Sequence, residues 1–349
     1  MYLGNWTEKL ARACARRPWV TIGIWAVAIV VALFFVVTML GDALVTDVEP
    51  TNNPESSEAL DIMDERLGVS EFEDLDETII VRSDTYTVDE PEFQAHVEEL
   101  YGELMMLGEE VFLSGFTYYQ TQEPSMVSID RHSTLISLTM PMDADERIEE
   151  VYEVGDSFVN DSFEVFYTGS ASFMADSMEL GESSMLRGET IGITAAIVIL
   201  TVVFGAVAAA ILPIALGMVA IAVALGLTAL VGQTMDLTFM IQNMITMMGL
   251  AVGIDYSLFV LTRFREERQR GREKMDAIGI AGATASRAVF FSGLTVVLAL
   301  TGLVIFPLSI FISMGIGSIL VVLMAVIAAL TLLPAMLGLL GDKVNSGHG

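Results

Sequence analysis

Residues 249–267 run Gly249-Leu-Ala-Val-Gly-Ile-Asp-Tyr-Ser-Leu-Phe-Val-Leu-Thr-Arg-Phe-Arg-Glu-Glu267. An apolar helix carries one acid, Asp255, followed directly by Tyr256, and then ends in charge from Arg263 onward. Asp255 stands eight residues from Arg263, about 12 Å along a helix, so it lies well inside a span whose edge the arginine marks. A carboxylate in hydrocarbon costs several kcal/mol unless it is neutralised or paired. No Lys, Arg or His occupies another apolar run of the chain. The partner of Asp255 is therefore a proton, a cation, a hydroxyl group or another polypeptide.

The rest of the chain agrees with a membrane protein. Its 349 residues are 53% hydrophobic, with a mean hydropathy of +0.61. The apolar residues gather in runs of the length a bilayer requires, about 20 residues each. Residues 1–17 form a short amphipathic segment bearing Lys9, Arg12, Arg16 and Arg17, and 18–40 is a first span. The spacing of apolar runs predicts five more spans at about 186–206, 209–232, 239–262, 286–306 and 309–339, with a polar tail at 341–349. The turn between the second and third is expected within Gly205–Pro213, where the breakers lie. Cations before the first span, and the cluster Arg263, Arg265, Arg268, Arg270, Arg272, Lys274 and Arg287, place both termini in the cytoplasm. Residues 41–185 are then extracytoplasmic, and the protein is a multi-pass protein of the plasma membrane.

That outer segment is strongly acidic. Within 41–189 lie 37 of the 45 Asp and Glu residues, against five arginines, and the chain has a formal net charge of -28 and three lysines. Such a surface repels nucleic acid. Abundant acid with scarce lysine is a haloarchaeal-like composition, as in proteins of extreme halophiles. Helical patterns at 56–67, 91–107 and 143–158 alternate with strand patterns at 78–81, 110–116, 133–140 and 163–167. The order β-α-β-β-α-β is the ferredoxin-like split arrangement. A further helix, 171–189, leads back to the membrane.

Asp255 is the expected ion-coupling residue and Tyr256 its relay. Low dielectric disfavours the charged form of a carboxyl, so a group of this kind loads a proton from one side and releases it to the other. Each charge moved across 100 mV yields about 2.3 kcal/mol. Ser292, Thr295, Ser309 and Ser313 are candidate polar partners or members of a proton path; the same hydroxyls could instead satisfy Asp255 as a packing residue. Gly249, Gly253 and Ser257 recur every four residues, the small-xxx-small pattern of close helix packing. The basic loop 263–287 is accounted for by topology and lipid headgroups, and Met244, Met247 and Met248 by packing. The single cysteine, Cys14, excludes an internal disulfide; it suits an interfacial residue better than an acylated one. No G-x-x-x-x-G-K-[ST] loop occurs, so any energy comes from an ion gradient, H⁺ or Na⁺. No metal site, nucleophilic triad or cofactor is expected, and the protein is read as a transporter, not an enzyme.

The quoted stretch resembles the fourth-helix signature of the MMPL branch of the RND transporter superfamily. Phe239, Asn243 and Thr246 before it, Ser292-Gly-Leu-Thr295, Leu332-Leu-Pro-Ala335 and Tyr167-Thr-Gly-Ser-Ala171 with Asp176 fit the same family. The resemblance implies that Asp255 and Tyr256 relay protons and that residues 41–185 form a porter domain. It also implies export of hydrophobic or lipid-like substrates. Family members usually hold two such repeats, with Asp–Tyr pairs facing each other across twelve spans; this chain shows one repeat. Either the chain is a half-size protein that forms a homo-oligomer or pairs with a second RND half, or it is a fragment of a twelve-span one. The family's basic residue between the second and third helices is absent from Phe204-Gly-Ala-Val207. Two other readings compete: a sterol- or lipid-sensing regulatory module, and a translocase accessory of the SecD/SecF kind, whose fourth helix lacks Asp-Tyr at this register.

Overall fold

The computed structural model describes residues 6–45, 50–67, 74–141, 147–204 and 207–341. In chain order they form α1 (Trp6–Arg16), α2 (Pro18–Phe35), β1 (Leu44–Val45), α3 (Glu55–Leu67), β2 (Asp74–Arg82), α4 (Pro91–Met105), β3 (Ser114–Thr117) and α5 (Tyr118–Thr121). There follow β4 (Ser133–Pro141), α6 (Ile148–Ser157), β5 (Glu164–Gly169), α7 (Ser170–Phe204), α8 (Val207–Val231) and β6 (Leu237–Thr238). The last elements are α9 (Met240–Gln269), α10 (Lys274–Ala281), α11 (Arg287–Ile305) and α12 (Ser309–Leu340). The chain divides into two compact units, Met1–Ser57 with Arg187–Gly349, and Glu58–Leu186.

The second unit holds a sheet of order β3-β4-β2-β5 with every neighbouring pair antiparallel. In β4 alternate residues Thr134, Ile136, Leu138 and Met140 are buried, the period-2 pattern of a sheet with one covered face. α4 buries Phe93, Val97, Leu100 and Leu104, a single helical stripe, against that face. The strand expected at 110–116 is observed only at Ser114–Thr117. A turn at Gly108, whose φ is +90°, accepts the N–H groups of Val111 and Phe112 at 3.0 Å. Those two apolar residues enter the core from the turn, and so mimic a strand in the sequence. The helix expected at 143–158 is observed from Ile148 to Ser157; residues 142–146 lie outside the described ones.

Glu77 is the polar exception in this core. It is fully buried on β2, its Oε2 accepts the Ser172 N–H at 3.0 Å, and Oε1 has no partner. It thereby caps the N-terminus of α7, where a carboxylate is favoured by the helix dipole. Burial nonetheless pushes its carboxyl above the usual range, against the hydrogen bonds from Ser172.

Among the described residues of the first unit five helices are long and apolar enough to cross a membrane: Pro18–Leu40, Ala210–Val231, Met240–Gln269, Lys274–Ile305 and Ser309–Leu340. Six were expected. The region 186–206 falls in α7, whose apolar stretch among the described residues is the shorter Thr190–Val202. Of the expected turn, residues 205–206 lie outside the described ones, and Pro213 sits inside α8. The tail from 342 to 349, with His348, also lies outside them.

The basic loop expected at 263–287 is helical except for Arg270–Glu273. The reason is ion pairing. Glu267, with its side chain 4% exposed, gathers Arg263 at 2.9 Å, Arg270 at 2.5 Å and Arg272 at 3.8 Å. Lys274 Nζ donates to the Gly338 carbonyl at 2.8 Å. Arg12 of α1 pairs with Glu8 at 2.9 Å and Asp276 at 3.3 Å and donates to the Met275 carbonyl. Positions that composition marks as solvated loop thus extend α9 by seven residues beyond 262 and start the next helix twelve residues early, at Lys274 instead of 286.

α12 is the central helix, packing on α2, α8, α9 and α11. Within the apolar layer the Trp25 indole N–H donates to Thr331 Oγ at 3.1 Å, so neither polar group faces hydrocarbon unpaired. α8 and α9 meet at glycines: a Cβ on Gly253 would lie 2.6 Å from the Gly217 Cα.

Gly253→Leu is expected to separate α8 from α9 and destabilise the protein by about 1–3 kcal/mol, whereas Gly302→Ala, with nothing within 4 Å of the new atom, leaves it unchanged; thermal melting in detergent compares the two. For Glu77 the folded carboxyl is raised, so its contribution to stability is complete below the unfolded value and is lost as pH rises through the raised one. Glu77→Gln is expected to remove that loss and raise the melting temperature at neutral pH by about 2–4 °C, with no gain at pH 4.

Candidate functional site

α9 buries one stripe, Ile241, Ile245, Gly249, Gly253, Ser257, Val260, Leu261, Phe264 and Glu267, at the i, i+3/i+4 spacing of a single helical face. Gly253 seats on Gly217. A Cβ on Gly249 would meet Ile221 and would lie 2.7 Å from Val321. The Ser257 hydroxyl donates to the Gly253 carbonyl at 2.6 Å. Gly249, Gly253 and Ser257 are all on the side of α9 turned to α8 and α12.

Two residues after Gly253 is about 200° of helical rotation, and Asp255 accordingly points away from that packed face and is exposed. It makes no hydrogen bond or ion pair among the described residues. Met247, Ala251 and Phe259 share its row and are exposed with it. Tyr256, a further 100° round, is half-buried against the bundle core. It reaches α11: a methyl on Gly293 would lie 3.6 Å from its Cε2 and 3.7 Å from its hydroxyl. Ser292, beside Gly293, is exposed, as is Thr295, whose hydroxyl donates to the Phe291 carbonyl at 2.9 Å. Asp255–Tyr256 on one helix and Gly293–Ser292 on another are thus joined by the tyrosine.

The two α12 hydroxyls are placed elsewhere. Ser313 is buried and accepts the Thr238 N–H at 3.1 Å, tying α12 to β6. Thr238 precedes Asp255 by seventeen residues, about 25 Å along a helix, beyond direct contact with the carboxylate. Ser309 opens α12 one turn earlier still. Two contacts of the site were not apparent in the sequence, Gly217 beneath Gly253 and Gly293 beneath Tyr256. Glycines recurring in apolar helices are the only signal that marks such positions, and it does not say which glycine meets which helix. Among the described residues no group of three or more His, Cys, Asp or Glu is arranged to hold a metal.

Known proteins share this sequence pattern. The chain is 36% identical over 182 residues to the mycolic acid-containing lipids exporter of Mycolicibacterium smegmatis, which is 52% of this chain and 19% of that one. It is 40% identical over 167 residues to a membrane protein of Bacillus subtilis, 48% of this chain and 22% of that one. It is 32% identical over 224 residues to the trehalose monomycolate exporter of Mycolicibacterium smegmatis, 64% of this chain and 22% of that one. The chain spans less than half the length of these relatives. The profile of the MMPL family matches residues 47–347. With long apolar helices in the same region, the chain is a multi-pass membrane protein and belongs to the MMPL family.

Proposed function

We propose that the protein is a secondary transporter that exports hydrophobic or lipid-like molecules, driven by an ion gradient through Asp255. The observation that carries this is the placement of that carboxylate. It lies deep within a span, on an open face, with no partner among the described residues, while the opposite face of its helix is packed through Gly249, Gly253 and Ser257. A structural acid would have been given a donor; one left open is available to a proton or cation. Tyr256, next to it and directed toward α11, is the relay. The relatives named as lipid exporters support the substrate class.

In this reading the apolar end of α7 is a sixth span, both termini are cytoplasmic, and residues 41–185 are an extracytoplasmic porter domain. The strand order β3-β4-β2-β5 with antiparallel neighbours supports a ferredoxin-like assignment for that domain. The exposed row Met247, Ala251, Asp255 and Phe259 is the face that meets a second half, a copy of this chain or another RND half. Two carboxylates would then share one dry site.

In proteoliposomes Asp255→Asn is expected to abolish the gradient-dependent part of substrate efflux while the protein still inserts. Tyr256→Phe should lower it by about tenfold or less, the worth of one hydrogen bond. Efflux that survives in Asp255→Asn would remove the coupling mechanism and leave the sensing reading. With Cys14 replaced by Ser, Ala251→Cys is expected to cross-link two copies on oxidation in the membrane, and Val27→Cys, exposed on α2, is not. Full transport by a demonstrably monomeric chain would overturn the shared site.

A further inference from the structure

A second apolar feature lies on another side of the bundle. Ile22, Trp25 and Ile29 of α2, Val219 of α8, and Leu332 and Met336 of α12 line a groove of about 190 Å³ with no polar group on its walls. Trp25 contributes only its ring, because its N–H is taken by Thr331. The groove opens to the lipid side, since Ala26, also on its wall, is exposed.

Cations gather on α1 and at its junction with α2, ahead in sequence of the groove's α2 residues. Arg12 is neutralised by Glu8 and Asp276. Lys9, Arg16 and Arg17 are exposed, and none forms an ion pair among the described residues. Trp19, 73% exposed in the first turn of α2, is an aromatic residue at the level where a bilayer's polar boundary meets hydrocarbon. Ile22 lies five residues below Arg17 and Ile29 twelve, roughly 7 Å and 18 Å along the helix. One leaflet's hydrocarbon is about 15 Å deep. The groove therefore occupies the depth of an acyl chain whose headgroup would reach the two arginines.

We propose that this groove binds one phospholipid with an anionic headgroup, its phosphate between Arg16 and Arg17 and one acyl chain along Ile22, Trp25 and Ile29. An ordinary boundary lipid would need neither the fixed hollow nor the two guanidinium groups, without an ion pair among the described residues, at the junction of α1 and α2. The site is separate from Asp255 and stands whether or not that residue couples transport. The bound lipid would hold α1, which carries Arg16, against the end of the bundle formed by α10 and α12.

The test is native mass spectrometry of the purified full chain released from mixed vesicles of anionic phosphatidylglycerol and zwitterionic phosphatidylcholine. One phosphatidylglycerol adduct per chain is expected. Arg16→Gln with Arg17→Gln should lose it by about 30-fold, at about fivefold per cation. Ala26→Phe, which fills the groove and leaves the arginines, should lose it as well; circular dichroism checks that both variants keep their helices. Equal adducts of both lipids would overturn the proposal in favour of boundary lipid. Adducts retained in Ala26→Phe, or displaced by inorganic phosphate alone, would overturn it in favour of a simple anion site. Weakened self-association in Ala26→Phe with the adduct unchanged would assign the groove to a second copy instead.

Discussion

Where Gly253 rests on Gly217, α9 comes close enough to α8 that no larger side chain fits between them. That approach fixes the rotation of α9 about its own axis. Gly249 against Ile221 and Val321 holds the same setting one turn away, and Ser257, bonding back to the Gly253 carbonyl, holds it a turn further on. With these three turned inward, Asp255 is directed outward and Tyr256 sideways onto α11. In a bilayer there is no hydrophobic driving force to set a helix's rotation, since lipid and leucine are equally apolar. Close packing at small residues does it instead, and the open carboxylate is its consequence.

The basic end of the bundle is organised by the opposite means. Glu267 is a buried acid surrounded by three arginines, and Arg12 joins α1 to the start of α10 through Asp276 and the Met275 carbonyl. A buried carboxylate without these cations would be strongly destabilising; with them it closes the α9–α10 corner. The arginines that are occupied here contrast with Arg16 and Arg17, which are left for an external anion. Charge near a membrane edge thus divides into a structural part and a part available for binding, and only contacts separate the two.

Much of this was legible in the residues. The first span was expected at 18–40, where a long apolar helix is observed at Pro18–Leu40; the last was expected at 309–339, where one is observed at Ser309–Leu340. Long apolar runs carry this information because the bilayer sets both composition and length. The strand expected at 133–140 is likewise present, because alternation marks a half-covered sheet. The failures have one cause. Glu266, Glu267 and the arginines around them look like solvated loop, yet they are helical because their charges find each other. Val111 and Phe112 look like strand, yet they serve the core from a turn. In each case contacts between residues three to five apart set a structure that composition alone does not mark.

The sequence by itself determined that this chain is a membrane protein, that its acidic segment follows the first long apolar run, and that Asp255 and Tyr256 stand together inside the fourth apolar run predicted from it. Composition and spacing suffice for this, because an ionisable residue in hydrocarbon is conspicuous wherever its neighbours lie. Only the tertiary structure decided that Asp255 faces out of the bundle while Tyr256 reaches Gly293, and that Ser313 is spent on Thr238. These depend on helix rotation and pairing, which are set by contacts between residues far apart in the chain.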